Sequence, residues 1–184
     1  MSAFPLLDTA RLHLREMVAN DAPALFAIHG TRAAMRWFGT ELMTNADEAA
    51  KLVEVFASWR ALPNPGTRWG IGSRTDGQLI GTCGLFKWNR AWRSCTIGYE
   101  LAQERQGQGL MHEALQTILP WGFEQMALNR IEAQVHVQNQ PSLRLLENLG
   151  FRREGVLRQA GFWWGEHHDL VQLSLLREDL GRTG

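Results

Sequence analysis

The sequence has few of the features that mark a secreted, membrane-bound or nucleic-acid-binding protein. Its 184 residues include only two cysteines, Cys83 and Cys95, which exclude a disulfide framework or a cysteine-rich metal site. No charged-then-apolar leader and no long apolar run opens the chain, so we expect a cytoplasmic protein without membrane association. The 19 basic residues balance 19 acidic ones. Nucleic acid is not an expected partner, because its nonspecific binding depends on a positive excess.

The remaining candidates for metal or nucleophile chemistry are also weak. His167 and His168 are adjacent and would point to opposite faces of a strand, so no metal is predicted. Both cysteines lie in strand-like segments, where a small buried side chain is a more common role than a nucleophile.

The most informative segment is the glycine loop, Gln106-Gly107-Gln108-Gly109-Leu110, which separates a strand-like run from a helix-like run. Glycine has no Cβ, so backbone N–H groups can converge on a ligand, and the first turn of the helix adds unpaired donors. A dinucleotide fingerprint would need glycine where His112 stands, and a nucleotide P-loop would need lysine after Gly109. The loop therefore predicts a pyrophosphate site formed mainly by backbone donors.

Apolar periodicity and turn residues predict one domain over residues 1–184. The predicted order is one strand, two helices, three strands, a helix, a strand, a helix and two strands. We expect an α+β fold with about four helices and a mixed, mostly antiparallel sheet of about seven strands.

Several segments, in that order of elements, resemble the GNAT superfamily of acyl-CoA-dependent N-acetyltransferases. They are the glycine loop, Asn139-Gln140-Pro141-Ser142 and Glu147-Asn148-Leu149-Gly150-Phe151. Three more are similar to the ribosomal-protein N-terminal (alanine/serine) acetyltransferase branch: Leu7-Asp8-Thr9-Ala10-Arg11-Leu12-His13-Leu14-Arg15, Ile97-Gly98-Tyr99 and His168-Asp169. The resemblance covers about residues 6–177.

The resemblance implies acetyl-CoA as cosubstrate and helices on both faces of a sheet that splays into a central V. The V would open between the strand ending at Leu101 and the strand beginning near Ile131, and pantetheine would enter it as an extra strand. The implied coenzyme-binding residues are Leu101, Gln106, Gly107, Gln108, Gly109, Leu110, Met111 and Asn139. Asn139 has helix capping as an alternative role.

For catalysis, the resemblance places the Ser142 hydroxyl near the coenzyme sulfur, where it would protonate the departing thiolate. A neutral residue in the first helical turn is the alternative role. Many superfamily members have a tyrosine acid where this chain has Leu146. Tyr99, the only tyrosine, is expected to be a poor substitute unless its strand turns it into the cleft. Glu100 is the candidate general base, with a solvated strand carboxylate as the alternative.

The predicted function is direct acetyl transfer to a primary amine, in particular an α-amine such as a protein N-terminus. The alternatives are a small-molecule amine (a polyamine, an aminoacyl compound or an antibiotic), a non-catalytic acyl-CoA-sensing module, and a minor covalent route through a cysteine. Among eight tryptophans, two pairs are expected to form an exposed aromatic wall for the acceptor: Trp88 with Trp92 and Trp163 with Trp164. The loop aromatics also suggest a homodimer.

Overall fold

One eight-stranded sheet organises the computed structural model, which describes residues 3–63 and 65–180. The strands are β1 (Leu7–Asp8), β2 (Leu12–Arg15), β3 (Thr67–Ser73), β4 (Leu79–Asn89), β5 (Ser94–Leu101), β6 (Arg130–His136), β7 (Arg152–Trp163) and β8 (Glu166–Leu176). Their spatial order is β1-β2-β3-β4-β5-β6-β8-β7. Among the strands of the described residues, only β5 and β6 run parallel to each other. The predicted mixed, mostly antiparallel sheet is confirmed, and the strand beyond the expected seven is the two-residue β1.

Five α-helices join these strands: α1 (Ala22–His29), α2 (Arg32–Met35), α3 (Ala46–Ser58), α4 (Leu110–Gln125) and α5 (Gln140–Asn148). Local sequence signals explain several boundaries. Asn45 caps α3 by accepting the N–H of Glu48 at 3.1 Å, and Asn139 caps α5 in the same way. The short α2 is the helix that the apolar periodicity did not predict. None of the described helices is long and apolar enough to cross a bilayer.

The helices cover both faces of the sheet, as expected. Leu115 and Phe123 of α4 belong to the larger buried cluster, which includes Ile80 of β4. Leu25 of α1 and Phe56 of α3 belong to a second cluster, together with Leu79, which directly precedes Ile80 in β4. Because neighbouring strand residues point to opposite faces, α4 packs on one face and α1 with α3 on the other.

The parallel pair β5 and β6 separates after a short contact, which opens the sheet in its centre. Their ladder joins Ser94, Cys95 and Thr96 to Arg130, Ile131 and Glu132. Further on, β5 pairs with β4 as far as Leu101, and β6 pairs with β8 as far as His136. The facing edges of β5 and β6 therefore form the predicted V, and α4 begins close to its mouth.

Candidate active site

The glycine loop lies at the end of β5 and leads directly into α4. Gly107 and Gly109 have φ of 72° and 73°, in the left-handed region that glycine occupies without steric penalty. A Cβ at Gly107 would meet no other atom within 4 Å, so this face of the loop is open. The side-chain amide of Gln106 donates to the Leu101 carbonyl at 3.0 Å, which ties the loop to the V.

The backbone donors of this loop are available to a ligand. Among the described residues, none accepts a hydrogen bond from the amides of Gly109, Leu110 or Met111, which begin α4. The positive end of the helix dipole and these N–H groups together attract an anion. Glu104 before the loop is exposed, and its backbone carbonyl accepts a hydrogen bond from the side-chain amide of Gln108 at 3.0 Å.

The β5 edge of the V also presents backbone groups. The Ala102 N–H donates to the Ile80 carbonyl near the start of β4, and the Glu100 carbonyl also faces β4. Because backbone groups alternate sides along an antiparallel strand, those of Tyr99 and Leu101 face the V. This edge can pair with an extended ligand as a further strand would.

Tyr99 and Ser142 meet across the V, where α5 begins. The Tyr99 Oη lies 2.6 Å from the Ser142 Oγ, and either hydroxyl can donate to the other. Burial raises the pKa of Tyr99, while its bond to Ser142 opposes that rise. The condition under which Tyr99 could replace the missing acid, that its strand turns it into the cleft, is met. β5 turns the tyrosine toward α5, whereas Leu146 is fully buried in the core.

Only one of the two polar atoms of the Asn139 side chain takes part in helix capping. Its Oδ1 accepts the Ser142 N–H at 3.3 Å. The side-chain NH₂ group has no hydrogen-bond partner among the described residues, so it is free to donate to a ligand carbonyl. The capping role and a ligand role are therefore compatible.

Glu100 lies in a buried ionic network on the opposite face of β5 from Tyr99. Its carboxylate accepts hydrogen bonds from Arg68 and the Thr82 hydroxyl, and it lies 3.1 Å from His29 Nε2. The side chain is 3% exposed. Burial raises the pKa of Glu100, but Arg68, His29 and Thr82 outweigh it, and the net pKa lies below its usual value. This environment disfavours the predicted base role, because a low-pKa carboxylate with its oxygens occupied is a weak proton acceptor.

The two thiols are unsuited to a covalent route. Cys83 and Cys95 are free and buried. Burial is the main cause that raises the pKa of Cys83 to about 12 and the pKa of Cys95 further still. Both remain protonated at neutral pH, and a thiol is a much weaker nucleophile than a thiolate.

A cavity of about 500 Å³ adjoins the V, and its lining includes the three residues that directly precede Asn139 in the sequence. It lies among the end of β6, the β7–β8 hairpin and the residues after α2. Its lining comprises Arg36, Trp37, His136, Val137, Gln138, Gln159, Trp163, Trp164, Glu166, His167, His168 and Asp169. Aromatic and ionisable side chains both contribute, which is typical of a site that orients a polar ligand against apolar surface.

Stacked aromatic rings form much of the cavity wall. Trp37 stacks on His136 with ring centroids 4.2 Å apart, and Trp163 stacks on His168 at 3.7 Å. Trp163 is only 4% exposed, so its prediction as part of an exposed wall was wrong. Neither Trp88 nor Trp92 is among the described cavity-lining residues. Trp37, which also lines the cavity, lies outside the two predicted pairs.

Two hydrogen bonds orient polar side chains of the cavity. His136 Nδ1 accepts the Gln138 N–H at 3.1 Å, so the proton of the neutral ring is on Nε2. Burial, then His168 and Arg36, lower the pKa of His136 and keep the ring neutral at pH 7. Asp169 accepts the Gln159 N–H at 2.7 Å, where a bulge in β7 gives Gln159 a φ of 52°. Among the described residues, no group of three or more potential ligands is placed to hold a metal ion.

The family of the chain follows from comparison with known proteins. The family model described as "Acetyltransferase (GNAT) domain" matches residues 11–152, most of the chain. The chain belongs to the GNAT acetyltransferase family. The N-acetyltransferase YoaA of Bacillus subtilis strain 168 is 36% identical to it over 174 residues, which cover 95% of this chain and 98% of YoaA. This GNAT protein is accordingly an N-acetyltransferase, and the resemblance found in its sequence is confirmed.

Two further relatives act on different acceptors. The [ribosomal protein uS5]-alanine N-acetyltransferase of Escherichia coli K12 is 30% identical over 112 residues, which cover 60% of this chain and 58% of the relative. The crystal structure of spermidine N-acetyltransferase from Vibrio cholerae in complex with CoA and spermine has a TM-score of 0.80 and 25% identity. It covers 93% of this chain and 98% of the other. The acceptor therefore differs within the family.

Proposed function

We propose that this GNAT protein moves acetyl from acetyl-CoA directly to an α-amine, such as a protein N-terminus. The observation that carries this proposal is the arrangement around the V. The loop with its unpaired amides is tied to the end of β5, and the Tyr99–Ser142 pair meets across the opening. The positions of the loop amides and of the two hydroxyls match a ligand with a pyrophosphate at one end and a thioester at the other.

Acetyl-CoA fits the groups that line this path. The amides from Gly107 to Met111 would receive the pyrophosphate, whereas the Gln106 N–H already donates to the Gln103 carbonyl at 3.2 Å. The backbone of Leu101 would pair with pantetheine. The free amide donor of Asn139 would bind a pantetheine carbonyl. The sulfur would then reach the Tyr99–Ser142 pair.

The reaction needs one proton donor and one neutral amine. The amine nitrogen attacks the thioester carbonyl carbon, the N–C bond forms and the C–S bond breaks. A backbone N–H of β5 near Tyr99 stabilises the oxyanion. The departing thiolate takes a proton from Ser142, Tyr99 replaces that proton through their shared hydrogen bond, and water then returns a proton to Tyr99. The proton lost by the amine goes to water, because Glu100 is held at low pKa in its ionic network.

An α-amine suits a site without a strong base. Neutralising an α-amine at pH 7 costs about 1 kcal/mol, whereas neutralising a lysine-like amine costs about 5 kcal/mol, from their reference pKa values. Water is sufficient for the first and inefficient for the second. The predicted base function of Glu100 is therefore not required for this acceptor.

The cavity beside the V is the proposed acceptor site. Arg36 accompanies the carboxylates of Glu166 and Asp169, so the lining carries little net negative charge to attract a polycation. Trp163 and Trp164 also have buried indole N–H groups without an acceptor among the described residues. A carbonyl beside the acceptor amine would offer such donors a partner, which a polyamine lacks.

An acceptor panel tests the proposal. Purified protein and acetyl-CoA are mixed at pH 7 with a lysine-free peptide with a free N-terminus, an Nα-blocked peptide that contains lysine, or spermidine. Free thiol release is followed, and the products are examined by mass spectrometry. We expect the free N-terminus to accelerate release most and to gain one acetyl group. A higher kcat/KM for spermidine would favour the polyamine alternative. No acceleration by any amine would contradict acetyl transfer to these acceptors.

We further propose that residues 1–184 form one catalytic unit, that it is cytoplasmic, and that two copies associate. The buried, unpaired thiols of Cys83 and Cys95 suit a reducing compartment. The exposed edge strand β7 and the exposed Phe162 support self-association. Light scattering coupled to size exclusion measures the mass directly, and a monomer at micromolar concentration would contradict the dimer.

A further inference from the structure

Arg11 links the β1–β2 turn to the glycine loop, although it lies about a hundred residues earlier in the chain. Its Nε donates to Glu113 Oε2 at 2.6 Å, and its backbone N–H donates to the other oxygen at 2.9 Å. The Thr9 hydroxyl also donates to Glu113. Glu113 lies in the first turn of α4. These bonds hold Arg11 rigidly beside the loop.

The remaining end of the guanidinium holds the loop itself. Arg11 Nη1 donates to the Gln108 carbonyl at 2.9 Å. The Gln108–Gly109 peptide bond is trans, and in a trans peptide the C=O and the following N–H point in opposite directions. Holding the carbonyl toward Arg11 therefore directs the Gly109 N–H away from Arg11, where it has no partner among the described residues.

Glycine on one side of this peptide makes the restraint useful. A flip of the Gln108–Gly109 peptide changes φ at Gly109, and glycine occupies positive and negative φ about equally well. A flipped peptide would present a carbonyl oxygen to the ligand instead of an N–H group. The guanidinium charge is already balanced by Glu113, so its main influence on the loop is on orientation rather than on net charge.

We propose that Arg11 is a positioning residue for the coenzyme: it fixes the Gln108–Gly109 peptide so that the Gly109 N–H faces the pyrophosphate. This inference rests on the proposed function, in which the loop binds that pyrophosphate. Thr9 and Glu113 act through Arg11 and do not contact the ligand. Their bonds give a physical role to the segment Leu7–Arg15, which the sequence identified only by resemblance.

The test compares two thioesters. Acetyl-CoA carries the pyrophosphate, and S-acetylpantetheine lacks it. We expect R11A to raise KM for acetyl-CoA about tenfold, the effect of losing one charge-assisted hydrogen bond, and to leave kcat/KM for S-acetylpantetheine within about twofold. R11K should lie between wild type and R11A, because a single ammonium cannot bind Gln108 and Glu113 in the same fork geometry.

Two controls separate orientation from charge and folding. Arg74→Ala removes a nearby surface arginine that donates to the Thr9 carbonyl and does not contact the loop, and KM for acetyl-CoA should stay within about twofold of wild type. Adding E113Q to R11A should cause little further loss, because both changes act on the same peptide. In ¹⁵N-glycine-labelled protein, CoA should shift the Gly109 amide proton in wild type and much less in R11A.

The outcomes discriminate between the inference and the proposed function. An R11A variant with wild-type KM for acetyl-CoA would overturn the positioning role, and so would an equal loss with both thioesters or with Arg74→Ala. If wild-type protein used both thioesters with the same KM, the pyrophosphate site of the proposed function would be refuted, and the role of Arg11 with it.

Discussion

Replacing Tyr99 by phenylalanine tests the chemistry of the site most directly. The change removes the hydroxyl that lies 2.6 Å from Ser142 Oγ and keeps the ring in place. General acid catalysis contributes about 10²–10⁴ in rate. Because a thiolate with a conjugate-acid pKa of about 8.5 leaves with little help, we expect the lower end of this range. Y99F should lower kcat about 100-fold, equivalent to about 2.7 kcal/mol in the barrier.

The structural cost of this substitution should be small. Losing one hydrogen bond costs about 1 kcal/mol of stability, which lowers the melting temperature of a chain of this size by about 2–4 °C. The protein stays folded at the assay temperature. The dissociation constant for CoA, measured by calorimetry, should stay within about twofold of wild type, because the pyrophosphate loop is untouched.

The assay measures free thiol release with acetyl-CoA and the best acceptor of the panel. Ser142→Ala should lower kcat by a similar factor, and the double variant should be little worse than either single variant, since the two hydroxyls act as one unit. Burial raises the pKa of Tyr99, so wild-type kcat should not fall between pH 7 and 9. Wild-type kcat in both single variants would refute the acid role, as would a rise in KM alone.

Three further substitutions have defined outcomes. Gly107→Val should weaken CoA binding, measured by calorimetry, about tenfold. The control Gly77→Val, at a glycine with the same φ of 72° and equally open surroundings, should leave the affinity unchanged. Equal losses in the two variants would place the phosphates elsewhere. Glu100→Gln removes the carboxylate that pairs with the buried Arg68, so urea unfolding at pH 7 should show a loss of about 3–5 kcal/mol in the free energy of unfolding. The pKa of Glu100 is lowered in the folded protein, so the stabilisation that its charge provides is present above the unfolded pKa of about 4.3 and is lost as pH falls through the folded pKa. The difference in unfolding free energy between wild type and the variant should therefore become smaller in that pH range. The acidic limb of kcat/KM should stay in place in this variant, and a displaced limb would restore Glu100 as the base. Cys83→Ala should retain kcat, because burial raises the pKa of this thiol to about 12, and an inactive but folded variant would revive the covalent route.

The sequence by itself determined the features that depend on neighbouring residues. Glycine at 107 and 109 predicted a backbone anion site, and both residues adopt left-handed φ. Asn139 had helix capping among its predicted roles, and its side chain caps the amide three residues later. These interactions close within one turn of chain, so local spacing is sufficient to predict them.

Only the tertiary structure decided which distant side chains meet. Tyr99 and Ser142 are 43 residues apart, and Arg11 and Glu113 are 102 apart. Alternation along a strand is enough to put Glu100 on the face opposite Tyr99, but it cannot show that Arg68 and His29 enclose the carboxylate there. Such contacts depend on the splay of β5 from β6 and on how the helices pack on the two faces, and these follow from burial summed over the whole core.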